Sequence, residues 1–264
     1  MKILRALRGK DGRPNREPAL FVAMVALAEP RPPDPKRLTA CLREHWPDQP
    51  GFTAFECHDE VLACEIGPAA GAVGLIPAPI PAVDIQAACE ASLLWPEAAH
   101  VLVKHTAHLI CTVGGTVEKK VAAINLTKLV AAVTQSTSAL GVYWGAANLV
   151  HSPAAFFGQA REMTEEFLPL YLWILFGLSG AVGKVTLRTQ GMASLGFMEL
   201  EIVESDRDPP DIVEFAFNIA HYLLDRGPVL ADGDTFGLSE EQKVLVCHAA
   251  SIVDPAEKVY RLKY

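Results

Sequence analysis

The sequence predicts an α+β protein in which helices and largely antiparallel strands surround one core. Half of the 264 residues are hydrophobic and 20% are charged, which is the composition of a folded protein. Short runs rich in β-branched or aromatic residues recur along the chain between segments of helical periodicity. In Met198-Glu-Leu-Glu-Ile202 apolar and charged residues alternate, which favours an antiparallel strand with one solvent-exposed face.

Helix starts are marked three times by a capping side chain followed by proline at the first helical position. These pairs are Asp34-Pro35, Ser152-Pro153 and Asp208-Pro209. We expect helices at 35–46, 83–103 with a bend at Pro96, 116–136, 153–165 and 209–226. In the helix 116–136, the apolar residues fall on one shared face.

Strands are expected where the short apolar runs lie between turn residues. The predicted strands are 19–28, 52–57, 61–66, 72–76, 107–113, 140–144, 170–177, 184–189, 197–203, 243–248 and 257–262. Through residue 113 the order is strand, helix, strands, helix, strand, which is typical of a ferredoxin-like unit.

The remaining elements predict a second lobe of the same class. No Gly/Ser-rich linker separates the two halves. We therefore expect two ferredoxin-like α+β lobes with mixed, largely antiparallel sheets that share a continuous core. The globular unit is expected to cover residues 18–264, with lobes at 18–115 and 116–264, after a flexible basic tail at 1–17.

The charge is unevenly distributed along the chain. The formal net charge is −8, although residues 1–17 carry six basic side chains and only two acidic ones. The remaining body is therefore strongly acidic, which disfavours nucleic acid and anionic membranes as partners and favours a basic protein. The six cysteines form no CxxC pair and mostly lie in apolar runs, which indicates free thiols in a reducing, cytoplasmic compartment.

Two apolar segments resemble membrane or secretion elements only superficially. Residues 19–28 follow a basic stretch, but that stretch is too long and contains Asp11 and Glu17, so a buried first strand is the better interpretation. Residues 168–183 are uncharged but shorter than the ~20 residues that a membrane-spanning helix requires.

The densest group of reactive side chains follows the helix 209–226. His221 and Asp225 lie one helical turn apart, so Asp225 could orient His221 as a general base or ligand. The alternative is a solvated stripe with an ion pair. Asp232 and Asp234 flank a glycine and could hold a cation, but Asp-Gly is also ordinary turn chemistry, and we expect no metal.

A second group lies at the end of the strand 140–144. Trp144 ends this strand, and a short loop carries Asn148 and His151 to the next helix start, where an anion could bind. The alternative is a packed tryptophan beside a capped helix. The chain has no GxGxxG, GxxxxGK[ST], HExxH or GxSxG motif, so the catalytic residues are unknown and no cofactor is expected.

Several segments together resemble a bacterial family known as domain of unknown function 4261. They are Leu75–Pro81, Trp95–Ala99, Ala107–Ile110, Ala139–Gly145, Val150–Pro153, Leu168–Trp173 and Asn218–Gly237. The resemblance extends over residues 19–262 and supports a first strand at 19–28. It implies no reaction and no catalytic residues.

Two functional hypotheses follow. The first is a non-catalytic binding protein, an immunity protein that neutralises a cognate bacterial toxin by direct binding through its acidic surface. The second is an enzyme, or a small-ligand or metal-binding protein. Its pocket would join the two groups of side chains, namely Trp144, Asn148, His151, His221, Asp225, Asp232 and Asp234. We favour the first, because no catalytic signature is present.

Overall fold

The computed structural model describes residues 18–47, 52–53, 55–58, 61–164, 166–237 and 243–264. The predicted basic tail at 1–17 lies outside this part of the chain. Within it, helices and strands occur in similar proportion and form two open sheets. No helix in the described ranges is both long and apolar enough to cross a bilayer.

The first sheet is antiparallel throughout. Its described strands are β1 (Ala19–Leu27), β2 (Glu56–His58), β3 (Val61–Ile66), β4 (Ala69–Ile76), β5 (Ala107–Gly115), β6 (Ala139–Trp144) and β7 (Leu149–His151). They are arranged in the order β2-β3-β4-β5-β1-β6-β7. β5 pairs along its whole length with β1 and over all but its first residue with β4, and it is the central strand of the sheet.

The second sheet is mixed. Its described strands are β8 (Leu175–Ala181), β9 (Lys184–Gln190), β10 (Glu199–Ser205), β11 (Thr235–Gly237), β12 (Lys243–Ala250) and β13 (Lys258–Lys263). They are arranged in the order β11-β12-β13-β10-β9-β8. β10 and β13 are parallel, and the other neighbours are antiparallel.

Eight helices connect these strands in the described part of the chain. They are α1 (Pro35–His45), α2 (Ala82–Ala91), α3 (Ala98–Leu102), α4 (Lys119–Ser136), α5 (Pro153–Glu162), α6 (Leu170–Trp173), α7 (Met192–Leu195) and α8 (Pro209–Arg226). Two predicted caps form, since Asp34 accepts from the Lys36 amide at 2.8 Å and Ser152 from the Ala155 amide at 3.3 Å. The Asp208 side chain makes no capping bond within the described residues, whereas its carbonyl accepts from Ile212.

Helix α4 joins the two halves of the molecule. It packs on β1, β5 and β6 of the first sheet and also contacts α1, α5 and α7. Buried residues therefore surround it on more sides than the single apolar face that the sequence predicts. Trp173 on α6 donates its indole N–H to the Thr127 hydroxyl of α4 at 2.8 Å, both side chains being buried. One apolar cluster consequently contains residues of both sheets.

The predicted α+β class with two largely antiparallel sheets is confirmed. The detailed strand order differs from a ferredoxin-like unit, because β5 lies between β4 and β1, where a ferredoxin-like unit pairs its first and third strands directly. The sheets also divide the chain later than residue 115, since β6 pairs with β1 and β7 with β6.

Two local predictions were wrong in part. The strand predicted at 170–177 begins as α6, because the Leu172 amide bonds to the Pro169 carbonyl at 2.8 Å, and only then continues as β8. The helix predicted at 83–103 is two helices, with Pro96 in the turn between them. Proline has no backbone N–H and disfavours helical geometry in the residue before it, which explains this break.

Candidate functional site

His221 and Asp225 on α8 do not form the oriented pair that their spacing allows. A hydrogen bond of 2.8 Å joins His221 Nε2 to the backbone carbonyl of Glu166, which is distant from α8 in the sequence. Asp225 pairs with the neighbouring Arg226 at 2.9 Å, and both side chains are more than half exposed. The imidazole therefore fastens the segment before α6 to α8, and the carboxylate belongs to a surface ion pair.

Asp232 and Asp234 serve the turn that leads into the second sheet. Asp232 Oδ1 accepts from the His248 amide at 2.8 Å, and Asp234 Oδ2 accepts from the Ala231 amide at 2.8 Å. Gly233 between them has a φ of +89°, a left-handed conformation that glycine adopts without strain. In the described chain, no group of three or more His, Cys, Asp or Glu side chains is placed to hold a metal ion. The two carboxylates act here as turn residues.

Trp144, Asn148 and His151 are built into the interior or its margin. Trp144 is buried and packs near Phe156, with ring centroids 6.2 Å apart. Asn148 adopts a left-handed conformation at the end of the 3₁₀ turn Gly145–Ala147, and its Oδ1 accepts from the Tyr143 hydroxyl at 3.1 Å. Trp144 and Asn148 thus have structural contacts in the connection from β6 to β7.

His151 is the most strongly perturbed titratable group of the seven candidates. Its side chain is buried, and Nε2 lies 3.3 Å from the Leu172 carbonyl. Burial lowers the pKa of His151 from its ordinary value of 6.5 to about 4, and the bond to Leu172 opposes this only in part. The imidazole is therefore neutral at physiological pH and donates to a backbone carbonyl.

The seven candidate residues have separate surroundings. His151 lines an apolar cleft, whereas Asp225 lines a depression between the start of α4 and the end of α8. Asp232 accepts from β12, Asp234 accepts from Ala231 in the turn before β11, and Trp144 is in the core. Neither of these two concave surfaces is lined by residues of both the Trp144–His151 stretch and the His221–Asp234 stretch.

The cleft beside His151 is a concave surface with a predominantly apolar lining. It has a volume of about 190 Å³ and lies where β7 of the first sheet approaches β8 of the second. Leu93 and Leu94, in the turn after α2, form one rim and are 71% and 76% exposed. Sequence periodicity did not identify this surface, because its residues come from five separate segments. We call it the β8 cleft.

Aromatic side chains support the opposite wall of the β8 cleft. Tyr171 of α6 stacks on Phe217 of α8, with ring centroids 5.0 Å apart, and also contacts Phe176 of β8 at 5.6 Å. Val213 of α8 lies in the same lining. Offset and edge-to-face arrangements are the favoured geometries of aromatic pairs, so these contacts stabilise this wall of the cleft.

The alternating face of β10 is covered rather than exposed to solvent, which corrects the prediction for Met198–Ile202. Glu201 is fully buried between Arg188 of β9 and Arg261 of β13, its register partners on either side. Arg261 Nη2 lies 2.7 Å from Glu201 Oε2, and the Ser251 hydroxyl donates to Oε1 at 2.6 Å. Arg188 also bonds to Glu257 at 2.6 Å. We call these five residues the Glu201 cluster.

The second carboxylate on this face has a capping role. Glu199 is buried and accepts from the Thr189 hydroxyl at 2.7 Å. It also accepts from the amides of Gly191 and Ala193, at 2.9 and 3.0 Å. A buried carboxylate is stable only with such partners, so both glutamates tie loops to the second sheet. The alternation of apolar and charged residues in Met198–Ile202 could not distinguish this buried arrangement from a solvent-exposed face.

Comparison with known proteins finds a family match for part of the second sheet, from within β9 to β13. Residues 188–263 match the sequence model of a family described as "Domain of unknown function (DUF4261)". This match confirms the family resemblance for residues 188–263, which include every member of the Glu201 cluster. Of the seven segments that carry the resemblance, it contains Asn218–Gly237. No curated protein and no solved structure matches the chain significantly.

Proposed function

We propose that this chain, whose residues 188–263 match the DUF4261 family model, is a non-catalytic cytoplasmic binding protein that neutralises a cognate bacterial toxin. The observation that carries the proposal is the β8 cleft, an apolar surface next to a strongly acidic one. Exposed apolar patches rimmed by polar residues are typical of protein interaction sites.

The polar atoms of four candidate pocket residues support the same proposal. His151, His221, Asp232 and Asp234 each bond to a backbone group of the protein itself. These bonds hold loops and turns in place. A nucleophile or general base instead needs a partner in the substrate and a supporting group behind it.

The acidic surface favours a basic partner. The net charge is −8, and the segment 204–214 alone contains five acidic residues, all of them exposed, against one arginine. Complementary charge accelerates the encounter of two proteins and opposes wrong partners. A toxin domain with a basic substrate-binding face fits this chemistry, because blocking such a face would stop its activity.

The test is to purify the protein encoded next to this chain and to measure complex formation by calorimetry. The same pair is then expressed in cells, where this chain should restore growth. A complex that weakens with salt and protects cells supports the proposal. It is refuted if no adjacent gene product binds, or if the chain turns over a metabolite and His221→Ala or Asp234→Ala abolishes that turnover without unfolding the protein.

A further inference from the structure

Strand β8 differs from the other edge strands in length. The two sheets end at β2, β7, β11 and β8 in the described structure. The first three are three residues long each, whereas β8 has seven. Proteins keep edge strands short because their unpaired N–H and C=O groups recruit other strands. Among the sheet edges that the structure describes, β8 therefore offers the longest row of unpaired backbone groups.

The composition of β8 lacks the devices that protect an edge. Its sequence Leu-Phe-Gly-Leu-Ser-Gly-Ala contains no charged residue and no proline. Its last four residues, from Leu178 to Ala181, are exposed. By contrast, the β7 edge is covered, since α2 packs on it and the Ser92 hydroxyl accepts from the Val150 amide at 2.9 Å. An uncharged open edge favours addition of a further strand.

The β8 cleft runs beside this edge. Phe176 and Leu178 are two residues apart, so they point to the same face of the sheet and both line the cleft. Across the cleft, Leu93 and Leu94 project outward as an exposed rim. A strand added to β8 would direct every second side chain to this face, and the cleft would accept an apolar one.

The charges around β8 select the kind of strand. The acidic segment 204–214 adjoins the end of the β8–β9 hairpin, where Lys184 Nζ lies 2.7 Å from Asp206. It continues into α8, whose Val213 lines the cleft. Arg207, the one basic residue of this segment, is placed over the Tyr264 ring at 4.9 Å. Asp206 is therefore neutralised by Lys184, whereas no ion pair is found in the described chain for Glu204, Asp208, Asp211 and Glu214. These four carboxylates would attract lysine or arginine in the added strand.

We propose that β8 binds an extended basic segment of a partner protein as an additional strand, with an apolar side chain of that segment in the β8 cleft. This inference rests on the proposed function and specifies how the partner is recognised. Main-chain bonds to β8 supply affinity, whereas the cleft and the acidic segment supply specificity. A seven-residue edge gives the added strand roughly three residues with paired backbone groups.

The first experiment uses short fluorescent peptides and the full chain. The probe is a peptide of alternating lysine and valine, and binding is measured by fluorescence anisotropy. Two controls are an alternating glutamate–valine peptide and a lysine–valine peptide N-methylated at every central amide. We expect binding of the probe, with a loss of about tenfold or more for each control. Equal binding of the N-methylated peptide would overturn the proposal, because it cannot pair with an edge.

The second experiment uses matched variants. Leu178→Arg places a charge on the edge and in the cleft, whereas Val182→Arg makes the same change in the fully exposed hairpin turn. We expect Leu178→Arg to weaken probe binding about tenfold and Val182→Arg to leave it unchanged. If Leu178→Arg does not fold, Leu94→Arg on the opposite, exposed rim replaces it. Unchanged binding by the folded cleft variant would refute the proposal.

Two other occupants of β8 are distinguished by further measurements. If sedimentation shows a dimer of this chain that Leu178→Arg dissociates, a second copy occupies the edge and the proposal is wrong. If replacing Arg5 and Arg8 with glutamate raises probe affinity, the first residues of this chain occupy it, and the proposal is again wrong. A monomer with unchanged probe affinity in that variant supports it.

The outcome for β8 and the outcome for the proposed function are separable. A neutralising complex that retains full affinity with Leu178→Arg would refute strand addition and leave the binding function intact. If Leu178→Arg abolishes probe binding but the chain neutralises no partner, strand addition to β8 is supported and the proposed neutralising function is refuted.

Discussion

Burial of His151 makes the stability of this protein depend on pH in a defined direction. The imidazole lies in the interior beside Phe156, and its Nε2 faces the Leu172 carbonyl at 3.3 Å. In the unfolded chain the same side chain is solvated and titrates normally. Protonation in the fold would place a charge in an apolar environment, so acid favours the unfolded state.

The magnitude follows from the pKa shift. Burial lowers the pKa of His151 from 6.5 to about 4 in the folded protein. Between these values the unfolded chain binds a proton that the folded chain does not, so the free energy of unfolding falls as the pH falls. Above the pKa of His151 in the unfolded chain, both states hold a neutral imidazole and the protein has its full stability. Since each pKa unit corresponds to about 1.4 kcal/mol, about 3 kcal/mol is lost by pH 4.

The assay is urea unfolding of the wild type and of His151→Gln from pH 7.5 down to pH 4. Glutamine retains a donor for the Leu172 carbonyl and does not titrate. We expect the difference in unfolding free energy between the two proteins to be constant above about pH 7. As the pH falls to 4, the wild type should lose about 3 kcal/mol of unfolding free energy relative to His151→Gln. His100→Gln, at an exposed position, is the matched control for loss of one imidazole.

Parallel stability curves for wild type and His151→Gln down to pH 4.5 would refute this reasoning. They would mean that the folded protein accepts the proton at no cost, through solvent access or an anionic partner. NMR titration of the His151 ring distinguishes these cases, because a solvent-accessible ring titrates near its ordinary pKa of 6.5.

Further predictions concern the second sheet and the thiols. Glu201→Gln leaves two arginines without their shared buried carboxylate and should cost about 3–5 kcal/mol in urea unfolding. Gly191→Ala should be among the most destabilising single changes by thermal melting, because its φ is +122° and a Cβ would lie 2.4 Å from a backbone oxygen. Gly183→Ala, with no atom within 4 Å of its Cβ, should cost only the ~1–2 kcal/mol of a left-handed residue. Burial raises the pKa of Cys111 to about 12, so a thiol reagent should label Cys57 in the native protein and Cys111 only after unfolding.

Local sequence signals predicted most of the secondary structure, because their causes are local. The proline-marked starts at Pro35, Pro153 and Pro209 are the first residues of α1, α5 and α8. Alternation and β-branched content predicted β1, β3 and β9 to within about two residues. The turn interpretation of Asp232 and Asp234, which the sequence left open beside a metal site, agrees with their backbone bonds.

Properties that depend on distant contacts were not accessible in this way. The alternation around Glu201 is the same whether its polar face meets water or a covering loop, and only the tertiary structure places Arg188, Arg261 and Ser251 around it. The same holds for His151, whose spacing cannot show that it is buried.

The sequence by itself determined the α+β class, most element positions, the acidic body and the family resemblance, because composition, caps and periodicity act over a few residues. The tertiary structure decided which strands became edges and which polar side chains were buried. Edges and burial are set by pairing and packing between segments that are far apart in the chain, as where β7, β8 and the turn after α2 meet. The proposed binding surface exists only at that level.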